Sequence, residues 1–241
     1  MARIMTKTAF TVGLLLMLMA VPAFGMSINS SVKIAAGSES SGASSVNGSI
    51  SVGENAIVSG DVGTVNGSIR VKSGATIKEA STVNGAVKIS DNVKSESLST
   101  VNGSVTVGQS VTVDGEIETV NGRISVEKGS KVASHVSNVN GQIDLSGAEI
   151  GGNVSTVSGD IYVVDGTIVK GGLLVEKPSG WSWSNKKNRE PKIVIGPGST
   201  VVGMIDLEHK VKLFISETAE VGGVTGVMTM ADAVRFSGER P

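Results

Sequence analysis

Few side chains in this 241-residue chain could do chemistry. Its two histidines, His135 and His209, are each able in principle to act as a general base, and residues 176–192 set Trp181 and Trp183 beside Lys186, Lys187, Arg189 and Lys192. A general base works only with a partner group within hydrogen-bond reach, and no cluster of nucleophile, carboxylate or cation accompanies either histidine in the sequence. HExxH, a phosphate-cradling loop and a GGxGxDx calcium repeat are all missing. The chain therefore reads as non-enzymatic, with no catalytic residue, no cofactor and no metal. For the tryptophan stretch two readings stay open. Aromatic rings beside cations suit glycans or anionic polymers, and Trp anchors many interfaces; alternatively both rings fold back over the flank of the fold and shield apolar surface, as isolated tryptophans commonly do.

What must position these residues is a repeat. The tripeptide VNG begins at Val46, Val65, Val83, Val101, Val120 and Val139, with a worn copy, VSG, at Val157; the spacings are 19, 18, 18, 19, 19 and 18. A fixed period of this length marks a stacked architecture. Aligned on VNG, Ile50, Ile69, Val87, Val105, Ile124, Ile143 and Ile161 form one apolar column, and Val52, Val71, Ile89, Val107, Val126, Leu145 and Val163 form another two residues on. Mostly polar residues lie between them, from Ser51 to Tyr162. This alternation predicts a strand with one buried face. A second pair follows (Ala56 and Val58, Ala75 and Ile77, Val111 and Val113), then a third inward position at Val62, Leu98, Ile117, Val136 or Val154. Each copy predicts three short strands, and one copy alone cannot bury its apolar face. The expected fold is all-β: a single-stranded parallel β-helix, or solenoid, of 18–19-residue coils. The uneven coil length favours a right-handed over a left-handed helix, because left-handed hexapeptide helices need three regular hexads per coil. About ten coils are expected.

Within VNG, Val65 is expected to point inward, with Asn66-Gly67 making the corner: Gly for its freedom at positive φ, Asn for its tolerance of it. Asn47, Asn66, Asn84, Asn102, Asn121 and Asn140 are then candidates for a structural amide ladder along the axis. A row of threonines, Thr64, Thr82, Thr100, Thr119 and Thr156, broken by Asn138, precedes the corner. Facing outward, it would make a Thr-x-Asn recognition array, with ice binding as a minor alternative, although the bend at Asn keeps the two columns from sharing a plane.

Residues 1–25 read separately. Arg3 and Lys7 precede an apolar run at 12–21, and Ala23 and Gly25 place small residues at −3 and −1 of a cut before Met26. That is the pattern of a secretory signal peptide, and the run is short of the roughly 20 residues a spanning helix needs. Both charges removed are basic, so the mature net charge becomes −3 from −1, which argues against a nucleic-acid partner. No later segment is apolar enough to cross a membrane, and without Cys the exported chain forms no disulfide. The remaining 26–241 is expected to be one solenoid domain: a degenerate, Ser-rich first coil at 26–45, regular coils at 46–175, the inserted loop at 176–192, and C-terminal coils and cap at 193–241.

The motif VNGSIxVxxGAxV, with VSGDI at 157–161, resembles the bactofilin type of polymer-forming β-helix and the adhesin-type β-solenoids of bacterial envelopes, over nearly all of 26–241. The resemblance implies a non-enzymatic scaffold that associates with itself, end to end or by its edges. With the signal peptide, the expected location is the periplasm or the cell surface. A module binding envelope polymers or glycans through the tryptophan loop is the alternative.

Overall fold

The structure is a computed structural model that describes residues 26–178 and 189–241. Its strands form three parallel sheets of eleven, eleven and ten strands, and each sheet takes every third strand of the chain in order. One turn runs Val62–Asn66 in sheet 1, Ile69–Val71 in sheet 2 and Thr76–Ile77 in sheet 3, and the next opens with Glu79–Asn84 back in sheet 1. The described residues make ten complete turns plus one further strand in each of sheets 1 and 2. At the ~4.8 Å spacing of paired strands this is a rod of about 48 Å. Helix is confined to one 3-10 turn, Met230–Asp232, among the described residues.

Register follows the sequence columns. Ile69 pairs with Ile50 and Val87, and Val71 with Val52 and Ile89, so like residues stack on like. Both sheet 2 columns are buried from Ile50 to Val163, as are the inward positions of sheet 3 and the column Val62, Leu98, Ile117, Val136 and Val154 of sheet 1. The core is a continuous stack of Val, Ile and Leu, and the β-branched residues suit the pleated surface that holds them. In the first coil, Val32–Ile34 takes its place in sheet 2 opposite Ile50–Val52.

Two corners differ from the expectation. The glycine after Asn47, Asn66, Asn84, Asn102 and Asn121 is needed for space rather than for positive φ, and only Gly141 combines the close approach with a positive φ of 130°. A Cβ on Gly67 would lie 2.2 Å from the Gly48 carbonyl oxygen, and one on Gly103 would lie 1.9 Å from that of Gly85. Successive coils approach too closely at this corner for any side chain. The left-handed conformation sits instead between sheets 2 and 3, at Asn55, Gly74, Asn92, Ser110 and Gly129, one residue per coil.

Candidate functional site

The four residues Thr-Val-Asn-Gly recur at the edge between sheets 1 and 2, and each has a separate task. Strand parity sets the first two. Val62 is buried, so Thr64 two residues on also points inward and Val65 points out, half-buried, contrary to the inward placement expected for Val65. The threonine row is thus interior: Thr64, Thr82, Thr100, Thr119 and Thr156 are between 0 and 4 % exposed. Thr64, Thr82, Thr100 and Thr119 each donate a hydroxyl to the corner glycine carbonyl of the preceding coil, at 2.8 to 3.2 Å. Asn138 continues the column, and its Oδ1 accepts from Thr156 at 2.6 Å. These side chains cannot meet a ligand or order ice. The outward Thr-x-Asn array is therefore corrected to a buried hydroxyl ladder, because strand alternation turns each threonine to the same face as the buried residue two positions before it.

The asparagines do face solvent. Asn47 Nδ2 donates to Asn29 Oδ1 at 3.0 Å, and the same bond repeats from Asn66, Asn84, Asn102, Asn121 and Asn140, each to the Asn one coil earlier, at 2.9 or 3.0 Å. All amides point one way along the rod, so each Oδ1 from Asn29 to Asn121 is engaged by its neighbour. This ladder braces the corner where no glycine side chain can.

Of the loop residues proposed for contact, Trp181, Trp183, Lys186 and Lys187 lie outside the described residues. Arg189 is described: its Nη2 lies 2.5 Å from Asp160 Oδ2. Asp160, 7 % exposed, also accepts from the Lys192 backbone N–H at 2.8 Å. The ammonium of Lys192 lies 4.9 Å from the centre of the Phe214 ring and 6.0 Å from that of Tyr162, a cation–π arrangement. The stem by which the insertion rejoins the rod is therefore clamped on the outer face of sheet 2.

The histidines have structural partners. His135, exposed, accepts the Asn153 backbone N–H at Nδ1, 2.9 Å away. His209 places Nε2 3.1 Å from the Val157 carbonyl, 52 residues earlier. Its Nδ1 lies equally close, 3.1 Å, to the Lys210 carbonyl, so the imidazole sits between two backbone carbonyls. Among the described residues, Glu118 is the ionisable group most displaced from its ordinary range. Burial first, then the Glu116 carboxylate, push it up to about 7, while the Ser137 hydroxyl, which donates to it at 3.4 Å, pulls the other way. It is a half-buried acid on the outer face of sheet 1, stacked between Ser99 and Ser137. Among the described residues no three of His, Asp and Glu gather as metal ligands would, and no helix is long and apolar enough to cross a membrane.

No family model matches this chain, and neither a curated protein nor a solved structure matches it significantly.

Proposed function

We propose that this chain is an exported, non-enzymatic structural β-solenoid that associates with itself in a bacterial cell envelope, in the manner of the polymer-forming β-helices its repeat resembles. The observation that carries the reading is the state of the C-terminal end. Sheets 1 and 2 finish on Val224–Gly226 and Val234–Phe236, each paired on one side only among the described residues, and an unpaired edge is a template for another chain. Four of the large apolar residues left exposed, Val202, Met204, Val227 and Val234, lie in this last part of the rod. The recurring Thr and Asn side chains and the corner Gly carbonyl are engaged in holding coil to coil, as a scaffold requires, and both histidines are tied to backbone groups. Cell fractionation with sedimentation velocity tests the proposal. The expected result is a chain shortened by about 25 residues outside the cytoplasm, forming larger species as concentration rises. A full-length cytoplasmic protein, or a monomer at every concentration, overturns it.

A further inference from the structure

The outer face of sheet 2 changes character along the rod. Its central column runs Lys33, Ser51, Arg70, Lys88, Thr106, Ser125 and Asp144, then becomes Tyr162, Val194, Phe214 and Val234. At the changeover lies a groove of about 620 Å³ lined by Tyr162 and Val194, by Gln142 and Asp144 on the side of the first coils, by Lys192 and by Arg240 of the C-terminal segment. Its volume falls within the range of small-molecule sites. Tyr162 is the only tyrosine in the chain.

We propose that this groove binds a short neutral glycan segment, with one pyranose ring stacked on Tyr162 and its hydroxyls held by Asp144 and Gln142. A sugar presents a C–H face that packs on an aromatic ring, and an edge of hydroxyls that both donate and accept. The groove offers that pairing. Asp144 is fixed in position: Arg123 Nε lies 3.4 Å from one of its oxygens, and the other accepts from Gln142 Nε2 at 2.5 Å. A carboxylate and an amide held side by side accept from, and donate to, adjacent hydroxyls. The charges disfavour an anionic ligand. Asp144, Asp165 and Glu239 line the groove against Lys192 and Arg240, and the ammonium of Lys192 is placed over the Phe214 and Tyr162 rings. Burial, then the carboxylates of Asp160 and Asp144, raise the Tyr162 phenol above its ordinary value, so it stays an O–H donor at neutral pH.

The site is independent of self-association, so its test can fail while the assembly proposal stands, and the reverse. A protein carrying isotope-labelled tyrosine gives one ring signal, that of Tyr162, which is followed while the purified protein is titrated with cellotetraose, maltotetraose, mannotetraose, chitotetraose and tetragalacturonate. A saturable shift with at least one neutral tetrasaccharide is expected. Measured by calorimetry, that binding weakens at least tenfold in Tyr162→Ala and several-fold in Asp144→Asn, and largely survives in Tyr162→Phe, which keeps the ring. Three results overturn the proposal: no neutral tetrasaccharide moving the signal at millimolar concentration, binding unchanged in Tyr162→Ala, or tetragalacturonate binding more tightly than every neutral probe.

Discussion

The hydroxyl of Thr100, a fully buried side chain, donates to the Gly85 carbonyl at 2.9 Å. Threonine and corner glycine thus form one unit repeated from coil to coil, and the column shows it by where it stops. Opposite Thr156 stands Val175 and then Leu207, both fully buried and apolar, at the coils that no longer carry the VNG corner. Replacing Thr100 by Val keeps the shape and removes the donor, leaving the half-buried Gly85 carbonyl without its hydroxyl partner at a cost of about 1 kcal/mol. Thr100→Ser keeps the bond and loses only a methyl group. Thermal unfolding is expected to rank the variants wild type, then Ser, then Val; a Val variant at least as stable as wild type would contradict the ladder. The inward Thr was legible in principle, since it stands two residues after the buried Val62 and strand parity sends both to one face. The hydrophobicity of neighbouring Val65 argued for the opposite choice, and parity prevails because the backbone cannot turn one residue without turning all. The asparagine ladder was easier to read, because a single residue type recurs at one exposed position.

At the scale of the element, the stacked strands followed directly from the sequence, since each inward position repeats in every copy and a slip of one residue would expose the whole column. The corners were less legible. The left-handed corner is filled in turn by Asn55, Gly74, Asn92, Ser110 and Gly129, a mixture that dilutes any motif. The glycine of VNG is fixed by a carbonyl in another coil, which no local pattern reveals. The insertion at 176–192 was visible as a break in the period, but its anchor was not: Asp160, 29 residues before Arg189, read only as the fourth letter of VSGDI. Because Asp160 is nearly buried and holds both the Arg189 guanidinium and the Lys192 N–H, Asp160→Ala removes two charge-assisted bonds and is expected to cost about 2 kcal/mol. Limited proteolysis should show faster cutting between 176 and 192, with the coils before Val154 still protected. Equal cutting rates in variant and wild type would mean that the clamp does not hold the stem.

As a whole, the rod is asymmetric: polar and basic on the outer face of sheet 2 in its early coils, aromatic and apolar in its last ones, with exposed Met204, Val227 and Val234 near the end. The closing segment covers part of that end. Val234–Phe236 pairs with Lys212–Ser216, Arg235 Nη1 donates to the Ser216 carbonyl at 3.2 Å, Phe236 is 9 % exposed, and Met230 packs against the core. Deleting residues 231–241 strips the Lys212–Ser216 strand of the neighbour it has on that side, Val234–Phe236, and uncovers a fresh edge bearing Phe214. Light scattering of the truncated protein is expected to show a mass that rises more steeply with concentration than that of the intact chain, while circular dichroism keeps its β signature. Val234→Lys in the intact chain tests the same edge from the other direction. A lysine on an edge strand discourages pairing with another chain, so association should fall without loss of fold. If the truncated chain stays monomeric at high concentration, or Val234→Lys leaves association untouched, assembly does not pass through this end, and the first coil at Met26–Ser27 and Val32–Ile34 becomes the edge to alter next.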